Sequence, residues 1–377
     1  MNPIERKIRE KLDKRREKNA LRTLPGRKGL ADFCSNDYLG LARDKTFRKE
    51  LYRVAGAGPL TGATGSRLIS GNSVLAEALE QELAAFHRAP GGLLFPSGYM
   101  ANLGVLSAVA DHHDIVLYDQ LVHASIRDAL QLCRARSYSF RHNDPNHLRQ
   151  KLDRAKGNVF IVVESVYSMD GDEAPLEALA SLAAEYGAAL IVDEAHATGV
   201  FGEQGEGLVA ALGLEAAVWA RIHTFGKALG SHGAIVLGPG YLRDFLINFA
   251  RSFIYTTALP DHTLHAVRLA YREMARGERL QVLCNNRDRF LRNLTGKARS
   301  RFIESRSAIQ SMVWPGNNEV KALAGRLQQQ GYDVRPILHP TVPKGTERLR
   351  ICLHAHNTQD EVEGLAVLVN QVVEEHD

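Results

Sequence analysis

A lysine on a glycine-rich turn is the chain's first chemically suggestive feature. Lys227 stands in Thr224-Phe-Gly-Lys227-Ala-Leu-Gly-Ser-His-Gly233. Held at a strand end, a lysine can be desolvated and partly neutralised, as an amine nucleophile requires. A solvated loop lysine fits the same spacing, so the feature needs partners elsewhere. Asp193, in Asp193-Glu-Ala-His196, follows an apolar run over 188–192. A carboxylate at the end of a buried parallel strand lies where open α/β sheets bind ligands. Ser97-Gly98-Tyr99-Met100 follows Leu93-Leu-Phe-Pro. That strand–turn–helix transition offers free N–H groups to an anion such as phosphate, and a plain helix cap fits it equally well. His123 opens a helical pattern at His123-Ala-Ser125, where an imidazole is more often structural than chemical.

Positioning these groups takes a sheet and its connecting helices. Runs at 114–118, 158–164, 188–192, 216–220 and 233–237 predict strands. Between them lie helical patterns, one opened by Pro175, with Leu176, Leu179, Leu182 and Tyr186 inward, and closed by Gly187. The alternation over 90–240 predicts a doubly wound α/β domain on a mostly parallel sheet. Residues 1–24 carry Ile4, Ile8 and Leu12 on one helical stripe, predicted to pack on the protein itself. The Gly-, Ser- and Thr-rich stretch from Gly56 and Gly58 to Gly71, containing Ser66-Arg67-Leu-Ile-Ser70-Gly71, is too loose for a helix. It is expected to order over a ligand. Asn72 or Ser73 then caps a helix with Leu75, Leu79, Leu83 and Phe86 on one face. Beyond 260 the pattern changes to helices over 261–297, strands near 309–314, 332–338 and 348–353, and a helix over 317–330. A last helix opens on the capping box Thr358-Gln-Asp-Glu361. The expected division is an N-terminal arm over 1–45, a large α/β domain over 46–260 and a smaller α+β domain over 261–377.

An amine, a strand-end carboxylate, an anion-binding helix start and a histidine on one sheet edge suit pyridoxal phosphate. The amine forms the Schiff base and moves protons at a substrate α-carbon. The carboxylate keeps the pyridine nitrogen protonated, so that the ring accepts electrons. The helix start takes the phosphate, and an aromatic or imidazole ring covers one face.

The chain resembles the α-oxoamine synthases, fold-type I pyridoxal-phosphate enzymes that condense an amino acid with an acyl thioester and lose CO2. The resemblance rests on Ser35-Asn-Asp-Tyr-Leu-Gly-Leu41, Gly65-Ser-Arg-Leu-Ile-Ser-Gly71, Glu164-Ser-Val-Tyr-Ser-Met-Asp-Gly171, Asp193-Glu-Ala-His196 and Thr224-Phe-Gly-Lys227. It implies a mostly parallel seven-stranded sheet with helices on both faces and a smaller C-terminal α+β domain. It further implies Lys227 as the Schiff-base lysine, Asp193 at the pyridine nitrogen, His196 at the ring hydroxyl and His123 stacked on the cofactor. Ser168 then matches a cofactor contact, and Gly98, Tyr99 and Thr224 match phosphate contacts. Thr256 or Thr257 would reach the phosphate of a second subunit, implying a homodimer with shared sites. Asn36 and Arg350 match substrate positions, Arg350 gripping a carboxylate, and Arg22 matches an arginine near the substrate entrance. Features at 249–260 and 340–350 favour the biotin-pathway member, which takes L-alanine and a pimeloyl thioester on CoA or a carrier protein. Sister synthases using glycine or serine, an aminotransferase and a catalytically dead partner subunit are the alternatives. His223 and Ala197 depart from the usual residues of the family.

Bulk composition agrees with a soluble enzyme: 377 residues, 45% hydrophobic and 24% charged, with a formal charge of +4. That mild charge gives no argument for nucleic acid. Cys34, Cys133, Cys284 and Cys352 lack metal-ligand spacing and read as reduced thiols, with no metal expected. No apolar run reaches membrane-spanning length and no secretory signal is read, so the cytoplasm is expected.

Overall fold

Branched apolar runs become strands, and their parity decides where every polar side chain at a strand end points. The computed structural model describes residues 2–24, 29–56 and 62–376; Gly58 of the glycine-rich stretch lies outside them. The strands in chain order are β1 (Ala31–Asp32), β2 (Gly91–Phe95), β3 (Ile115–Asp119), β4 (Arg136–Phe140), β5 (Val159–Glu164) and β6 (Ala189–Asp193). They continue with β7 (Ala220–Thr224), β8 (Ala234–Gly238), β9 (Ile309–Val313), β10 (Tyr332–Asp333), β11 (Arg335–Ile337) and β12 (Arg348–Cys352).

Seven strands form one sheet in the order β2-β8-β7-β6-β5-β3-β4. Only β8 runs against the rest, antiparallel to both β2 and β7, so the sheet is mostly parallel with helices on both faces. Val162, Ile191, Ile222 and Val236 turn to one face and join the core under the helix Gly98–Val109. Ile161, Val163, Leu190 and Val192 turn to the other, with Leu176, Leu179 and Ala183 of the helix Leu176–Tyr186. This is the period-two alternation of a sheet buried on both sides.

Two strand expectations change. The run at 216–220 only leads into β7, which continues through Thr224; Arg221 and His223 lie inside the strand and are buried, and their polarity hid it. β4 is an edge strand with three exposed residues among its five, so no apolar run marked it. The helices Lys45–Ala55 and Gly240–Phe249 were likewise absent from the sequence reading.

By contacts the chain divides into two units, one comprising 36–168 and 172–283, the other 1–35, 169–171 and 284–377. This division differs from boundaries at 45 and 260. The helix Asp261–Met274 buries Leu264, Val267 and Ala270 and belongs with the sheet unit. The short stretch 169–171 joins the other unit because Ser311 and Ser307 donate to the carbonyls of Met169 (2.7 Å) and Gly171 (2.9 Å) and Arg348 pairs with Asp170.

Within the second unit, β1 pairs in parallel with β10, and β11-β12-β9 form an antiparallel sheet. The capping box forms: Thr358 N donates to Glu361 and Glu361 N to Thr358 Oγ1. The helix Pro3–Glu17 buries none of its residues, and Ile4, Ile8 and Leu12 are exposed. The expected packing of that stripe on the chain itself is therefore not found. Three residues on a narrow stripe offer too little apolar area to hold a charged helix down.

In the sheet unit, residues 62–73 make contacts of their own. Arg67 pairs with the buried Glu80 at 2.7 Å and donates to Asn72 Oδ1 at 2.7 Å. Gly71 N closes the turn on Ser66 O. Ser73, not Asn72, caps the following helix.

Candidate active site

The same parity brings the chemistry together. Glu164, Asp193 and Thr224 each follow a core residue by two positions (Val162, Ile191, Ile222) and so share one face of the sheet. Glu164 and Asp193 are direct cross-strand partners. These three residues, with Asn36, Gly98, Tyr99, His123 and Lys227, line one cavity of about 300 Å³ in the sheet unit. Lys227 and Asp193 thus open on the same space.

Two donors hold the Asp193 side chain. Its Oδ2 accepts from Asn102 Nδ2 at 2.7 Å and its Oδ1 from Ala195 N at 2.9 Å. Asn102 sits on the helix Gly98–Val109 and is buried. Its amide also donates to Ser125 Oγ at 3.0 Å. That leaves the Ser125 hydroxyl proton for His123 Nδ1, 2.8 Å away, which also accepts from Ser125 N. His123 Nδ1 is therefore an acceptor, and the neutral ring carries its proton on Nε2. Burial lowers the affinity of this imidazole for a second proton; Lys227 adds to the effect, while Asp193 and Asp128 oppose it.

At the cavity wall the helix Gly98–Val109 begins, capped by Ser97 Oγ accepting from Met100 N. Gly98 N and Tyr99 N have no acceptor within a helix. Gly98 lies so close to β7 that a Cβ there would sit 2.4 Å from Thr224 Cγ2. Thr224 Oγ1 is buried with no hydrogen-bond partner among the described residues. A buried hydroxyl left open beside a helix N-terminus is what an anion would complete. The Tyr99 hydroxyl is engaged by Asp128, so its main chain rather than its ring is available there.

Lys227 lies on the turn between β7 and β8. Phe225 N donates to Gly233 O, Ser231 N to Phe225 O and Gly230 N to Lys227 O. Gly230 has φ +57° and stands against the main chain of Ala42, a conformation and a contact that favour glycine.

Other expected residues lie further out. His196 is buried beside the cavity, with Tyr38 Oη 2.7 Å from its Nδ1 and 3.2 Å from Asn36 Oδ1. Ser168 is half-buried in the sheet unit but does not line the cavity. Thr256 and Thr257 line a different small pocket, beside Arg67 and Phe253. Arg22 and Arg350 belong to the other unit, where Arg22 donates to Thr341 Oγ1 at 3.2 Å and Arg350 to Cys352 Sγ at 3.0 Å. The two departures avoid the cavity. His223 is 2.9 Å from Thr198 Oγ1 and stacks on His87, and Ala197 packs in the core of the opposite sheet face. Asn102 and Glu164 were not anticipated as site residues. Glu164 gave the same signal as Asp193, an acid closing an apolar run, but Asn102 gave none.

Comparison with known proteins agrees with this geometry. Residues 28–368 match the class I and II aminotransferase family. The 8-amino-7-oxononanoate synthase of Emericella nidulans is 44% identical over 95% of this chain and 93% of its own length. A serine palmitoyltransferase from S. paucimobilis, solved with a bound PLP–myriocin aldimine, superposes with TM-score 0.85 at 26% identity over 100% of this chain and 99% of its own. The 8-amino-7-oxononanoate synthase of Francisella tularensis gives TM-score 0.73 at 28% identity over 92% and 98%. The chain therefore belongs to the class I and II aminotransferase family, and within it to the pyridoxal-phosphate-dependent α-oxoamine synthases.

Proposed function

We propose that this chain is an 8-amino-7-oxononanoate synthase, condensing L-alanine with pimeloyl-CoA and releasing CoA and CO2 in biotin formation. The observation that carries the reading is the single cavity onto which Lys227, Asp193, Thr224 and the start of the helix Gly98–Val109 all open, together with the names of its relatives. Bound pyridoxal phosphate supplies an aldehyde for an amine and a sink for negative charge at the amino acid's α-carbon.

The chain's own residues have distinct duties. Thr224 Oγ1 and the N–H groups of Gly98 and Tyr99 take the phosphate. Asp193, fixed by Asn102 and Ala195 N, keeps the pyridine nitrogen protonated. His196 holds the ring hydroxyl, and Ser168 adds a further cofactor contact. His123 covers one face of the ring, and its Nε2–H is a donor for charge developing on the thioester oxygen. The Lys227 amine removes the α-proton and later returns one. Asn36 holds the amino acid, and the resemblance assigns Arg350 to a substrate carboxylate and Arg22 to the acyl donor.

The active assembly is a homodimer in the cytoplasm, with Thr256 or Thr257 of a second copy completing the phosphate site. Two facts support this. Those threonines are away from the cavity in their own chain, and Tyr241, Phe245 and Phe249 leave an exposed apolar stripe on the helix Gly240–Phe249. The test is steady-state turnover of alanine, glycine and serine, each with several acyl thioesters on CoA and on a carrier protein. Alanine with the pimeloyl donor is expected to be fastest and to release CO2. Faster turnover of glycine with every donor would assign a sister synthase, and amino transfer at comparable rates without a thioester would assign an aminotransferase.

A further inference from the structure

Glu164 is the buried acid that the mechanism above leaves without a task. It closes β5 directly beside Asp193, with 3% of its surface exposed, and it lines the cavity. Two carboxyls on neighbouring strands with so little water repel one another. Asp193 is compensated by two donors. Glu164 has a single one among the described residues, the main-chain N–H of His123, which reaches Oε1 at 2.5 Å. His123 is the N-cap of the helix Ala124–Leu132; its carbonyl is tied to the helix by Ile126 N and Arg127 N, and on its other side the N–H is tied to Glu164.

The imidazole of His123 is thus held at two points. Ser125 fixes Nδ1, and Glu164 fixes the main chain from which the ring projects. We infer that Glu164 is a positioning residue, setting where the His123 ring stands over the cavity by accepting the His123 N–H. Burial first, then the charge of Asp193, raises the pKa of Glu164, while Lys227 and the His123 N–H act the other way. Accepting the His123 N–H needs an oxygen acceptor and no charge. Glutamine supplies the same acceptor and alanine supplies none. The inference rests on the proposed function for its effect on turnover, but not for the hold itself.

The experiment compares Glu164→Gln and Glu164→Ala with the unsubstituted protein. Hydrogen–deuterium exchange of the 120–125 segment is followed in the cofactor-free protein, and kcat, KM and cofactor circular dichroism in the loaded protein. Glu164→Ala is expected to exchange at least about tenfold faster in that segment and to change the cofactor's dichroic band, as loosening of a chromophore's neighbour should. It should lower kcat by about ten- to a hundredfold while KM for alanine stays within about twofold, as misplacement of a reacting group predicts. Glu164→Gln should stay within about threefold of the unsubstituted protein in all three readouts, since it keeps the acceptor. In a His123→Ala background Glu164→Ala should cost less than about twofold more, the non-additivity of one unit. Unchanged exchange in Glu164→Ala would overturn the inference, as would a glutamine variant as impaired as the alanine one. The exchange readout needs neither substrate nor cofactor, so it stands or falls apart from the proposed reaction.

Discussion

At the end of β6 and along β7, polar side chains turn to both faces of the sheet, and the two faces treat them differently. On the cavity side, Asp193 and Thr224 meet open space, and the Asp193 side chain accepts from two donors. On the opposite side, Glu194, Arg221 and His223 are walled in with His87 and Tyr271. There burial dominates. It pulls His87 down to about 3 and His223 well below its ordinary value, with Arg221's charge assisting in both. It also lifts Glu194 to about 7, against Ser165, Arg221 and Val209 N. His223 Nε2 and Arg221 Nη1 have no hydrogen-bond partner among the described residues. Residue type alone does not make a site. One step along a strand separates a working group from one whose charge is suppressed.

The sharpest test of that contrast is substitution on each side. Lys227→Ala and Asp193→Asn should each lower kcat about a thousandfold or more, as expected when a nucleophile or the electron sink's counter-charge is lost. A folded Asp193→Asn variant with near-normal turnover would break the comparison.

pH gives the next largest effect, through histidines of opposite behaviour. His142 bridges Asp119 at 2.9 Å and Asp172 at 2.7 Å. Burial acts to lower it, but hydrogen bonds to both acids and their charges outweigh that and raise it to about 9. Its contribution is complete below the unfolded value of 6.5 and is lost as pH rises through about 9. The loss amounts to about 3 kcal/mol in all. His87 and His223 are kept neutral, so their contribution is present above 6.5 and falls away as pH drops, at about 1.4 kcal/mol per pH unit for each. Denaturant unfolding should therefore be most resistant near neutrality. His142→Gln should flatten the alkaline limb only.

Smaller again is Thr224→Val. It removes a hydroxyl with no partner among the described residues, so the cofactor-free protein should melt within about 2 °C of the original. Cofactor affinity should fall about tenfold by equilibrium titration, the worth of one hydrogen bond to a charged group. The smallest effect belongs to the walled-in face: His223→Val should leave kcat within about twofold, because the ring points away from the cavity. A large change in amino-acid preference would show that the two faces communicate.

Much of the site was legible because strand-end residues announce themselves. Asp193, Gly98 and His123 each close, open or cap an element and Lys227 lies on a turn between strands, where the chain changes direction and side chains leave the core. Asn102 was not legible, since an amide inside a helix reads as surface until the helix is known to lie over β6. β7 was misplaced because buried Arg221 and His223 mimic a loop. Strand order, and the grouping of 36–45 and 261–283 with the sheet, depend on contacts between distant segments that no local pattern records.

Parity in β5, β6 and β7 carries one more consequence. Replacing a core valine by isoleucine there changes packing, but inserting or deleting one residue would turn Glu164, Asp193 or Thr224 to the far side of the sheet. These strands can be re-lettered at modest expense, yet their spacing to the pocket is a ruler that admits no extra division.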